Sequence, residues 1–211
     1  PACGETGTLK VVYTITDDCE NYVTREATFK IVDTTKPEAC EANDKEIECL
    51  GSAGNEAAAA AWDALNISKL KNCSSDLCGD VYVTSDYDYS HLDPACGETG
   101  TLKVVYTITD DCKNFVTREA TFTIVDTTKP ETCDPDDKKI ECLGATGNET
   151  AASLWNTSNI SKLEHCSSDL CGDVYVTSDY DYSHLDTLCG ETGTLKVVYT
   201  ITDDCKNFVT R

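Results

Sequence analysis

Fourteen cysteines in 211 residues, with no methionine, are the side chains with most chemistry to offer. Sulfur at that density can hold a soft metal, act as a nucleophile or pair oxidatively. Cys73 and Cys78 resemble a zinc half-site, but no Cys-x-x-Cys pair accompanies them. The expectation is a set of disulfides in an oxidising compartment. Ser90, His91 and Asp93 have the residue types of a hydrolytic triad, yet triad groups converge from separate elements rather than from sequence neighbours. Only three histidines occur, and His91 and His184 hold the same repeat position. No enzyme is expected.

Carboxylates are the second resource. There are 38 acidic side chains against 17 basic ones, a net charge of −21. Nucleic acid and anionic membrane are poor partners for such a chain, because phosphate contacts need clustered Lys and Arg. Calcium, which takes several oxygen ligands, fits better, and Asp33, Asp76, Asp80, Asp110 and Asp111 are the expected ligands near a joint between modules. The competing reading is a solvated acidic face that keeps the chain soluble. No apolar run approaches the roughly 18 residues of a membrane span, so no membrane insertion is expected. Asn66, Asn72, Asn148, Asn156 and Asn159 stand in Asn-x-Ser/Thr sequons and are candidate glycan acceptors.

What positions these groups is a repeat. Cys3, Cys96 and Cys189 each begin the same 17-residue string, from Cys-Gly-Glu-Thr-Gly-Thr-Leu to Thr-Asp-Asp-Cys, and successive copies lie 93 residues apart. The strings Asp33-Thr34-Thr35-Lys36-Pro37 and Asp126-Thr127-Thr128-Lys129-Pro130 read as short, stiff joints. The expected modules are therefore 1–34 (the last part of one), 35–127 (complete) and 128–211 (lacking its final strand). The first residues, Pro1 to Lys10, read as the interior of a domain. A longer array, with its targeting signal elsewhere, is expected.

Within the complete copy, Leu102, Val104, Tyr106 and Ile108 alternate with Lys103, Val105, Thr107 and Thr109, the period-two pattern of a half-buried strand. A second strand carrying Phe115 to Val125 completes a hairpin, and shorter strands are expected at Lys45–Cys49 and Val81–Thr84. Gly54-Asn55-Glu56, then Ala57 to Ala61, Trp62 and Leu65, predict a short capped helix. The tryptophans, Trp62 and Trp155, are expected as core plugs. The fold class is mainly β: tandem immunoglobulin-like β-sandwich modules, each with a short helical insertion and disulfide staples.

Strand direction constrains the cysteines, although six in a module allow fifteen connectivities. Cys96 and Cys112 bracket about 50 Å of extended chain and cannot join each other. Cys96 and Cys49 fall at the distal pole of the module, and Cys73, Cys78 and Cys112 at the pole that receives the preceding joint. The expected bonds are Cys49–Cys96 and Cys78–Cys112, with Cys142–Cys189 and Cys171–Cys205 one copy on. Cys3 and Cys19 are left with partners upstream. Each bond closing tens of residues stabilises by roughly 2–4 kcal/mol.

Ile-Glu-Cys, Gly-Asn-Glu-Ala with Trp, Cys-Gly-Asp-Val-Tyr-Val, Cys-Gly-Glu-Thr-Gly-Thr-Leu, Thr-Asp-Asp-Cys-Lys-Asn and Phe-Thr-Ile-Val-Asp-Thr-Thr-Lys-Pro together resemble the HYR-like (hyalin-repeat-like) immunoglobulin-type modules of long surface and secreted proteins, especially of Bacteroidota. The resemblance covers the whole chain and implies module type far more than function. Four cysteines per module are usual there. Cys40 and Cys73 are the extra ones, hence the further pairs Cys40–Cys73 and Cys133–Cys166. Asp33-Thr34-Thr35, Asp126-Thr127-Thr128 and Asp186-Thr187-Leu188 are similar to the O-glycosylation sequon of that group, which would place glycans on Thr34, Thr127 and Thr187.

The expected function is structural: part of an extracellular or cell-surface stalk or filament, with neighbouring modules as partners. The rival is a multivalent carbohydrate- or protein-binding adhesive module, in which exposed residues stay fixed between copies. Val81 to Asp93 and Val174 to Asp186 are identical, which either reading accommodates.

Overall fold

The computed structural model describes residues 3–211. Strands account for 37% of the chain and helix for 24%, so the fold is mainly β. In chain order the elements are β1 (Gly7–Thr16), β2 (Tyr22–Ile31), β3 (Lys45–Glu48), α1 (Ser52–Cys73), β4 (Val81–Ser85), β5 (Asp93–Pro94), β6 (Gly100–Asp110) and β7 (Phe115–Val125). They continue with α2 (Ala145–Cys166), β8 (Val174–Ser178), β9 (Asp186–Cys189), β10 (Thr192–Thr194), β11 (Tyr199–Asp203) and β12 (Phe208–Thr210).

The complete repeat forms one sheet in the order β3-β7-β6-β4, with β5 also paired to β6. Its pattern is the predicted one. Leu102, Val104, Tyr106 and Ile108 are at most 1% exposed, and Ala120, Phe122 and Ile124 face the same interior from β7. The next copy keeps the register: Val81 pairs with Asp110 and Val83 with Ile108, as Val174 pairs with Asp203 and Val176 with Ile201. There the counterpart of β6 is divided into β10 and β11, and the counterpart of β3 forms no strand. β12 runs only from Phe208 to Thr210.

The helices are longer than predicted, 22 residues each instead of a short insertion. Their inward positions explain the difference. Asn55, Ala59, Trp62, Asp63, Asn66 and Leu70 recur at helical spacing and are all at most 8% exposed. Half of that buried face is polar, so an apolar stripe cannot report its length. The amides are satisfied: Asn66 accepts the Asn43 N–H (2.8 Å) and donates to the Asn43 carbonyl (3.0 Å) and the Tyr106 hydroxyl (3.3 Å). Asn159 repeats this with Asp136 and Tyr199.

The chain falls into two compact units. One holds the described residues up to Lys45 with Glu56–Leu92 and Leu102–Phe122; its core is Trp62 against Tyr106 and Phe122, with ring centroids 6.4 and 5.4 Å away. The other holds Glu46–Asn55, Asp93–Thr101 and Thr123–Arg211, centred on Leu163, Tyr199 and Ile201. Each Asp-Thr-Thr-Lys-Pro joint lies inside a unit.

Candidate functional site at the joints

The loop that follows β6 shows how the sequence builds a joint. In Asp110-Asp111-Cys112-Lys113-Asn114 the Asp110 carboxylate accepts the Asn114 N–H at 2.9 Å, and Lys113 takes a left-handed φ of 74°. Glu20 and Lys206 do the same at φ of 66° and 73°. Cys112 is thereby presented at the turn. The amide of Asn114 reaches the Asp33 carbonyl (3.5 Å), and that of Asn207 reaches the Asp126 carbonyl (3.1 Å). Lys36 and Lys129 each lie 5.8 Å from a ring centroid, of Phe115 and Phe208.

On the other side of each joint a glycine permits close approach. Gly97 has φ of 51°, and a Cβ there would stand 2.0 Å from the Cys171 carbonyl oxygen; at Gly4 (φ 46°) it would stand 1.8 Å from that of Cys78. The next residue makes the contact: Glu98 N–H donates to Cys171 O (2.9 Å), and Glu5 N–H to Cys78 O (3.0 Å).

These contacts bring together cysteines of different copies. The disulfides are Cys3–Cys112, Cys40–Cys73, Cys49–Cys171, Cys96–Cys205 and Cys133–Cys166. Cys40–Cys73 and Cys133–Cys166 are two of the expected pairs. The others correct the expectation. Cys49 joins Cys171 and not Cys96, Cys96 joins Cys205, and Cys112 joins Cys3, so Cys3 is not left over. Cys78–Cys112, Cys142–Cys189 and Cys171–Cys205 do not form; Cys19, Cys78, Cys142 and Cys189 are free thiols. The physical reason is the close approach of successive copies that Gly4 and Gly97 allow, to Cys78 and Cys171. Each of the bonds Cys3–Cys112, Cys49–Cys171 and Cys96–Cys205 links cysteines of different copies.

The expected calcium ligands are rearranged as well. The Asp111 carboxylate is engaged: it accepts the Asp80 N–H (3.1 Å) and the Tyr82 hydroxyl (3.0 Å). Asp110 is 1% exposed, and Asn114 satisfies both its oxygens. Asp33 and Asp76 do lie within 4.8 Å of each other and of the Cys78 sulfur. At the second joint their counterparts Asp126 and Asp169 group with Asp203 within the same distance. Sequence reasoning did not single out these three, although the repeat makes them equivalent to Asp33, Asp76 and Asp110. Asp203 is 1% exposed; its Oδ1 accepts the Asn207 N–H (2.9 Å), while Oδ2 has no hydrogen-bond partner. Leaving a buried acceptor unpaired costs about 1–3 kcal/mol, and more when it is charged. Burial pushes the Asp126 carboxyl up, the Thr128 N–H opposes this, and the charges of Asp169, Asp203 and Glu48 add to it.

The sequons fare unevenly. Asn66 and Asn159 are 2% exposed, and Asn148 and Asn156 lie at 8% and 9%. Asn148 accepts the Leu143 N–H and donates to the Glu191 carbonyl. A glycan on Nδ2 of Asn66, Asn148 or Asn159 would displace a buried donor from its acceptors, so the fold corrects these three as acceptors, and burial corrects Asn156. Asn72 is exposed. Glycopeptide mass spectrometry should find Asn66, Asn148, Asn156 and Asn159 unmodified in folded protein; a glycan on Asn66 would contradict the packing of α1. Thr34 and Thr187 are exposed, whereas the Thr127 hydroxyl donates to Glu48 (3.1 Å).

His91 faces Asp88 at 3.9 Å, as His184 faces Asp181 at 3.8 Å, on exposed turns. Ser90 meets the same Asp88 carboxylate through its backbone N–H (2.9 Å). No protein-family model matches the chain, and no curated protein matches it.

Proposed function

We propose that this chain is a stretch of an extracellular structural array, a stalk or filament shaft built from HYR-like immunoglobulin-type modules whose joints are covalently bonded. One observation carries this reading. Cys3–Cys112 and Cys96–Cys205 are the same bond one repeat apart, each with a sequence separation of 109. A bond that recurs with the period and always links one copy to the next has translation built into it.

The free thiols support the same reading. Cys19 is the counterpart of Cys112 and Cys205, Cys189 of Cys3 and Cys96, Cys78 of Cys171, and Cys142 of Cys49. Every free cysteine thus occupies a position that is bonded across a joint elsewhere in the chain. Gly190, counterpart of Gly4 and Gly97, keeps the left-handed φ of 60° with nothing within 4 Å of its would-be Cβ. At the second joint two bonds run in parallel, Cys49–Cys171 and Cys96–Cys205, and would transmit tension through covalent links, which suits a load-bearing shaft.

The adhesive alternative gains less. In the identical segments, Tyr82 and Tyr175 spend their hydroxyls on Asp111 and Asp204, Asp86 and Asp179 accept the N–H groups of Val105 and Val198, and Asp88 and Asp181 cap the turns that follow. Internal contacts account for that identity without a ligand.

Peptide mapping of the native protein without reduction tests the array. The Cys142 peptide should be linked to a Leu-Cys-Gly-Asp peptide of another copy, and the Cys189 peptide to a Thr-Asp-Asp-Cys peptide. Alkylatable thiols at both positions, or a Cys142–Cys189 bond, would remove the proposal.

A further inference from the structure

The geometry points to a divalent-cation site of the calcium type at Asp126, Asp169 and Asp203. Three carboxylates from three separate segments converge there: Asp126 from the joint, Asp169 from the loop after α2, and Asp203 from the end of β11. Each offers an oxygen within 4.8 Å of the other two. Among the described residues, none of the five ion pairs to Lys, Arg or His involves them. Their surroundings supply only one N–H apiece: Thr128 to Asp126 (3.1 Å), Cys171 to Asp169 (2.7 Å) and Asn207 to Asp203 (2.9 Å). Each bond uses Oδ1. The second oxygen of Asp203 is buried without any partner, and that is the independent sign that something else completes the site.

The donor set selects the class of ion. Cys171 lies next to the cluster in sequence, but its sulfur is committed to Cys49, so oxygen is all that remains. Hard oxygen donors suit calcium, which tolerates irregular geometry and completes its shell with water; soft or borderline metals prefer sulfur and imidazole. Two of the three carboxylates recur, with the Cys78 sulfur in place of the third. Asp33 and Asp76 approach each other in the same way at the first joint, and Asp33 Oδ2 is likewise buried without a partner. Because the cluster joins the Asp-Thr-Thr-Lys-Pro linker to the copy that follows it, bound calcium would hold the joint by charge where the disulfides hold it by covalent bonds. This inference does not rest on the array, since the cysteine map could fail while the cation site stands.

The test is calorimetric titration of the disulfide-intact chain with calcium chloride after chelator treatment, alongside thermal melts in chelator and in calcium. Saturable binding is expected with Kd on the order of 10⁻⁴ to 10⁻³ M, the range of extracellular modules, together with a rise in Tm. Asp203→Asn should weaken the second-joint site at least tenfold and leave the chelator Tm unchanged or higher, because an unpaired buried anion is removed. Asp126→Asn serves as the second variant, reporting the same loss should Asp203→Asn fail to fold. Asp186→Asn, an exposed acid in β9, is the control for net charge and should bind as wild type. Non-saturable heats in the wild-type chain, or equal weakening by all three substitutions, would show only diffuse counterion screening and overturn the site.

Discussion

Replacing Cys96 and Cys205 together by alanine is expected to lower the unfolding free energy of the unit that contains them by about 4 kcal/mol. The bond closes a loop of 109 residues. In the chain-entropy account a cross-link of that span stabilises mainly by restricting the unfolded chain, at about 4.7 kcal/mol for roughly 100 residues. Cys133–Cys166 lies within the loop and shortens its effective length, but the dependence is logarithmic, so only a few tenths of a kcal/mol are lost. Substituting both partners avoids a stray thiol that would exchange with a remaining disulfide such as Cys49–Cys171. Urea unfolding of the oxidised protein measures the effect. A loss below about 1 kcal/mol would mean that the bond does not constrain the unfolded chain, while Cys19→Ala, at an exposed free thiol, should change nothing measurable.

The same bond marks the limit of what the sequence revealed. Period-two alternation located the hairpin of β6 and β7 because its buried side chains are apolar and regularly spaced. Strand polarity predicts Cys49 and Cys96 at one pole and Cys78 and Cys112 at the other. What failed was the step from poles to partners. An intramodule pair and a cross-joint pair make the same demand on strand direction, and only the approach allowed by Gly4 and Gly97 separates them. A left-handed glycine directly after a cysteine, repeated with the period, was the available signal.

Polar burial hid the rest. α1 and α2 turn Asn55, Asn66, Asn148 and Asn159 inward, so the apolar pattern is too short for the helices, and the last three of these asparagines read as glycan acceptors. An amide that supplies both donor and acceptor to a loop backbone substitutes for strand pairing, and hydropathy has no term for it. The acidic cluster was half legible. Aspartates were expected at the joint, but which of them face one another depends on how Asn114 and Asn207 are spent. Asn114 donates to both Asp110 and Asp33, whereas the Asn207 amide goes to Asp126 and leaves Asp203 Oδ2 open.

Truncating the two equivalent tryptophans should give unequal losses despite their identical repeat position. Trp62 is 3% exposed, lies against Tyr106 and Phe122, and donates from Nε1 to the Asn43 carbonyl at 2.7 Å. Trp62→Ala opens a cavity between α1 and the sheet and should cost about 3–5 kcal/mol. Trp155 keeps the hydrogen bond, to the Asp136 carbonyl at 2.6 Å, but is only partly buried. With less apolar surface withdrawn from water, Trp155→Ala should cost about 1–2 kcal/mol. Hydrogen exchange resolved by segment reads both losses: Trp62→Ala should raise exchange in β6 and β7, and Trp155→Ala in α2 and β11. Equal losses would mean that the sheet contributes nothing to holding the helix. The core would then be the helix and its asparagine-bonded loop alone, and β7 would serve only to carry the chain to the next joint.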